Sequence, residues 1–132
     1  MEGIRRARCS LKGWSRQCAA AVFFLTILLL PALSAAHPPT EITLSYDRTG
    51  HMLTVLITHE TPLPEAHYIV KVEIKKNDTI VSTSLYESQP DPKTFSYTYP
   101  VDANTDSVVV VTATCNISGE KTVMLDMRKI PR

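Results

Sequence analysis

Paired cysteine is the first thing this sequence lacks. It has three cysteines in 132 residues, and Cys9 and Cys18 both fall in an N-terminal stretch of export-signal type. Cys115 is therefore left without an intramolecular disulfide partner, and its thiol is buried and inert, reactive, or a metal ligand. The single tryptophan, Trp14, lies in the same stretch, so the rest of the chain has neither the tryptophan nor the bridge of antibody domains. Glycine is scarce, at four residues, and no Gly-rich phosphate loop can be drawn. There is no Ser-His-Asp order worth assigning, no internal repeat and no helical periodicity.

Excess positive charge is missing too. The whole chain carries 14 basic and 13 acidic residues, net +1. Arg5, Arg6, Arg8, Lys12 and Arg16 stand before residue 37, as does Glu2, so the remainder has 14 − 5 = 9 basic against 13 − 1 = 12 acidic residues, net −3. Nucleic-acid binding loses its electrostatic basis. A fully apolar run long enough to span a bilayer, about 20 residues, is also lacking, because Cys18 to Leu30 stops at Pro31.

What stands in that place is a basic segment, a short apolar core and the small residues Ser34, Ala35 and Ala36, the composition of a secretory signal over residues 1–36. The alternative is a retained N-terminal anchor. Either way the chain is read as exported, periplasmic or extracellular, with membrane contact only through an uncleaved signal. Residues 37–132 then form one small domain, at the low end of what a single core can stabilise. Cleavage after Ala36 would leave His37 as the first residue, with its α-amine beside its imidazole as a potential chelating pair.

Alternation fills that domain. Glu41 to Asp47 and Leu53 to His59 read as two strands joined by Arg48-Thr49-Gly50. Pro62 and Pro64 make Glu60 to Ala66 a loop. His67 to Lys75 follows, with Tyr68, Val70, Val72 and Ile74 expected inward, then a turn at Lys76-Asn77-Asp78 and a strand from Thr79 to Tyr86. Lys93 to Tyr99 presents Phe95, Tyr97 and Tyr99 on one face. Ser107 to Cys115, the most β-branched run, is expected to be the central strand and apolar on both faces. After a turn at Asn116 to Lys121, Thr122 to Met127 closes the set and the tail from Arg128 is expected to fray. Seven short strands with Pro, Gly and Asn turns predict an all-β, seven-stranded immunoglobulin-like β-sandwich after the N-terminal signal segment.

All four histidines lie early in this domain, at His37, His51, His59 and His67. His59 ends one strand and His67 opens the next, so they should meet at one pole, while strand directions alone leave Cys115 at either pole. Thiolate with imidazole suits zinc, copper or iron. His51 follows a turn glycine and reads as an exposed residue, the substitute if a further imidazole is required. Ser118 and Asn116 read as turn residues.

His37-Pro38-Pro39, His59 before a proline loop, His67-Tyr68-Ile69 and Cys115-Asn116-Ile117 with Gly119 resemble, in order and separation, the iron-binding domain of the superoxide reductase and desulfoferrodoxin family. The resemblance implies an immunoglobulin-like fold and a mononuclear, non-haem iron held by four equatorial histidines and an axial cysteine. It also implies superoxide as substrate and an external electron donor, the thiolate enriching the iron in electron density as it does in thiolate-ligated haem. Carried over, His37, His59, His67 and Cys115 match ligand positions. Two departures accompany the match. Ser118 stands where the family has its last histidine, and Ala35-Ala36 where it has a Glu-Lys pair whose lysine attracts superoxide. The loop from His59 to His67 is also longer than is usual in the family. The second expectation is therefore a non-catalytic metal-binding or immunoglobulin-like interaction module.

Overall fold

The computed structural model describes residues 37–130, so the expected signal over 1–36 lies outside the described residues. Seven strands follow in chain order: β1 (Glu41–Asp47), β2 (Met52–Thr58), β3 (Ile69–Lys76), β4 (Thr79–Leu85), β5 (Thr94–Pro100), β6 (Val108–Cys115) and β7 (Glu120–Asp126). They form two antiparallel sheets, one ordered β1-β2-β5 and the other β4-β3-β6-β7. The architecture is the expected seven-stranded sandwich. No helix among the described residues is long and apolar enough to cross a membrane.

Alternation builds the core. On β2, Leu53, Val55 and Ile57 are buried; on β6, Val109, Val111, Ala113 and Cys115 take every second position and are buried too. Phe95 and Tyr99 close the layer from β5, with Tyr97 packed against it. β6 is an interior strand, flanked by β3 and β7, as expected. Its other face is only half-buried, which corrects the expectation of apolar cover on both sides: no further layer lies over this sheet among the described residues.

β3 corrects the reading of its inward residues. Ile69 pairs with Cys115 but Lys71 pairs with Thr114, so β3 carries an extra residue, Val70, opposite a single step of β6. This bulge swaps the alternation at the start of the strand. Ile69 is wholly buried along with Val72 and Ile74, while Tyr68 and Val70 are only half-buried.

The turn after β3 consists of Asn77 and Asp78 alone, both with positive φ, 48° and 66°. That is the two-residue hairpin whose twist matches the strands, and the small polar side chains of Asn and Asp tolerate it. The C-terminal end is not frayed as far as Ile130. Met127–Lys129 form a short 3-10 turn with Met127 wholly buried, and the Arg48 guanidinium donates from Nη2 to the carbonyls of Met127 at 2.9 Å and Ile130 at 3.2 Å.

Register settles what strand direction left open. Thr58 pairs with both Glu41 and Thr94, and Ile69 pairs with Cys115. One pole of the sandwich therefore carries residues 37–40, the β2–β3 loop, the β4–β5 loop and the turn after Cys115.

Candidate metal centre

His59 follows the last residue of β2, where its backbone N–H donates to the Lys93 carbonyl at 2.9 Å and holds the chain beside the start of β5. Pro62 and Pro64 then keep the loop out of either sheet. The chain returns through a tight turn in which the N–H groups of Ala66 and His67 both reach the Leu63 carbonyl, at 3.0 and 2.8 Å, so that His67 enters just ahead of β3. Cys115 occupies the last inward position of β6.

Asn116 ties these pieces together. Its Nδ2 donates to the Ala66 carbonyl at 3.0 Å and its Oδ1 accepts from the Tyr68 N–H at 2.9 Å, clamping the cysteine turn to the histidine turn. Read from the sequence as a plain turn residue, it sets the spacing between two of the candidate ligands.

One donor atom each from His59, His67 and Cys115 lies within 4.8 Å of the others. The three residues are 0%, 4% and 5% exposed, respectively. Their imidazole rings stand edge to face with centroids 4.6 Å apart, and His67 Nε2 is 3.1 Å from Cys115 Sγ. The backbone N–H of Ile117 also points at this sulfur, 3.5 Å away. Two imidazoles and a thiol converging in a dry pocket can hold a metal ion, because each supplies a lone pair once deprotonated.

Burial holds the His67 pKa below its ordinary 6.5, with the neighbouring His59 and His37 acting in the same direction and the His37 backbone against it. The consequence is a neutral imidazole at neutral pH, the form that binds a cation.

His37 stands beside the cluster without joining it. Its ring centroid is 5.2 Å from that of His59 and 5.5 Å from that of His67, and its Nδ1 lies 2.9 Å from the Pro38 carbonyl. Two prolines fix its approach: Pro39 is fully buried, and Pro38 packs against Gly119, whose φ is +80°. A β-carbon at 119 would sit 3.0 Å from the Pro38 Cβ. Gly119→Ala is thus expected to lower the unfolding free energy by about 1–2 kcal/mol through the left-handed backbone alone, read as a lower urea midpoint at unchanged slope.

The other two candidates lie elsewhere. His51 is in the β1–β2 turn, at the far pole from His59, where its Nδ1 faces Asp102 at 3.6 Å and the Tyr46 hydroxyl at 3.4 Å. Seven residues of β2 separate the two histidines, roughly 26 Å over eight steps of about 3.3 Å, so His51 cannot serve as the substitute ligand. Ser118 is exposed in the turn after Cys115.

Sequence reasoning missed Gln89. This side chain from the β4–β5 loop is 4% exposed, with its Oε1 2.8 Å from His59 Nδ1. Its polar character and proline neighbours suggest an open loop, and the only hint of burial is the rigidity that Pro90 and Pro92 confer. No protein-family model matches the chain, and no curated protein matches it.

Proposed function

We propose that this chain is an exported, mononuclear iron protein that reduces superoxide to peroxide with electrons from an external donor, its metal held by His59, His67 and Cys115 with His37 alongside. The observation that carries the metal reading is the convergence of two buried imidazoles and the Cys115 thiol at one pole. Iron in particular rests on the resemblance of the His37, His59, His67 and Cys115 motifs to the superoxide reductase family, since the 3.1 Å between His67 Nε2 and Cys115 Sγ is an ordinary hydrogen-bond distance.

Bound iron would be held by His59, His67 and Cys115 and would supply the single electron, which an electron-rich thiolate ligand would make more available. The chain's own residues do the rest. His67 Nε2 and Cys115 Sγ lie within hydrogen-bond distance, and because a thiol ligates as thiolate and an imidazole through a free lone pair, metal uptake is expected to release acid. Cys115 belongs to the buried core, and exclusion from solvent strengthens the charge interactions of its sulfur. Superoxide takes one electron and two protons to leave as hydrogen peroxide, and with Ala35-Ala36 in place of the family's Glu-Lys pair, solvent supplies the protons.

The second reading, a metal-binding module without turnover, is favoured by the exposed Ser118. Restoring an imidazole there discriminates between them. Ser118→His is expected to raise superoxide consumption by the iron-loaded protein at least tenfold, about 1.4 kcal/mol of barrier, if the natural site is an enzyme short of one ligand. Unchanged, negligible turnover in both forms would leave the module.

A further inference from the structure

The β4–β5 loop spends a buried amide on His59, and its hydrogen bonds fix more than a position. Gln89 Nε2 donates to two carbonyls, that of His59 at 2.9 Å and that of Asp91 at 2.8 Å. The Gln89 backbone N–H donates to the Pro64 carbonyl at 3.1 Å, anchoring the residue to the β2–β3 loop. Asp91 is itself held, since its Oδ1 accepts from the N–H groups of Lys93 at 2.8 Å and Thr94 at 2.9 Å. With both amide hydrogens committed to carbonyl oxygens, the amide cannot flip: reversal would set its oxygen against two acceptors.

That leaves Oε1 facing His59 Nδ1 at 2.8 Å. An oxygen can only accept there, so Nδ1 carries the hydrogen. A neutral imidazole has one N–H, and the lone pair must then be on Nε2. The group across from Nε2 is the His37 carbonyl oxygen, 3.2 Å away. In the neutral ring two acceptors then face each other, an arrangement relieved by a cation within reach of both or by a second ring proton. In the opposite tautomer, Nε2–H would donate to His37 and the ring would be captured by the N-terminal segment.

We infer that Gln89 is the positioning residue that locks His59 in its Nδ1–H form, keeping the Nε2 lone pair free for a cation and preventing the His37 carbonyl from taking it up in a hydrogen bond. The consequence for metal affinity rests on the metal-site reading above; the tautomer does not. Partners of this kind orient a ligand and raise its basicity, and their loss costs about 10- to 100-fold in metal affinity.

The test combines 15N NMR of the histidine rings with metal titration, on the metal-free protein slightly above neutral pH. In the parent, His59 should show a protonated Nδ1 and a bare Nε2. In Gln89→Met, which keeps the bulk and removes the amide, the proton should move to Nε2, and cobalt(II) affinity should fall about 10- to 100-fold. A parent His59 protonated at Nε2 overturns the inference, as does a variant in which the tautomer is unchanged. Should Gln89→Met fail to fold, the parent spectrum decides alone. The expected tautomers with no cobalt binding by the parent would uphold the role of Gln89 and overturn the metal-site reading instead.

Discussion

Replacing His67 with alanine is expected to weaken metal binding by on the order of 100- to 1,000-fold while leaving the sandwich folded. Structural metal sites with several protein ligands are worth about 10–16 kcal/mol, or roughly 3–4 kcal/mol for each ligand. Nothing nearby can replace the lost donor. His51 is at the other pole, Ser118 is exposed, and the His37 ring nitrogen nearest a partner is turned to the Pro38 carbonyl. The fold should survive because His67 precedes β3 and pairs in neither sheet. Competition with a chromophoric chelator gives the affinity and far-ultraviolet circular dichroism the fold. An affinity within a few-fold of the parent would remove His67 from the ligand set.

The second large effect is on stability. Ile69→Ala is expected to cost about 2–5 kcal/mol, since deleting a large buried aliphatic side chain loses both its transfer free energy and the packing around the cavity left behind. Ile69 is wholly buried and lies opposite Cys115 where the β3 bulge begins. For a domain of this size, whose total stability is about 5–15 kcal/mol, the unfolding temperature should drop by on the order of 10–30 °C. Metal added in excess should recover part of the loss, as a ligand that binds only the folded state must. A drop of only a degree or two would mean that the bulge relaxes to refill the space.

The same residue marks how far the sequence could be read. Period-two alternation is unambiguous where polar and apolar residues take turns, as in Leu53-Thr54-Val55 or Thr94-Phe95-Ser96, and there the inward residues are those expected. Tyr68-Ile69-Val70 is apolar throughout, so either frame fits, and only the shift in pairing against β6 shows that Ile69 faces the core. His59, His67 and Cys115 stand out in the sequence as residue types at element ends. The meeting of the two histidines is legible from the strand ends, but that Cys115 shares their pole follows from β3 pairing with β6, a long-range fact with no local signal.

The polar supports are harder still. Asn116 looks like any turn asparagine, yet both ends of its amide are engaged across the pole. Gln89 sits in a Ser-Gln-Pro-Asp-Pro stretch that composition marks as solvent-facing, and its burial depends on the β2–β3 loop that folds against it. His51 shows the reverse. Its chemistry matches that of the site histidines, and topology alone places it at the far pole.

The decisive measurement is the metal content and visible absorption of the protein, purified without oxygen and then oxidised, beside Cys115→Ala. Near-stoichiometric iron with a thiolate-to-iron charge-transfer band that disappears in the variant is the predicted result, with both proteins equally folded because Cys115 otherwise fills a small core position. A folded parent protein that holds no metal and shows no band when iron is supplied would contradict it.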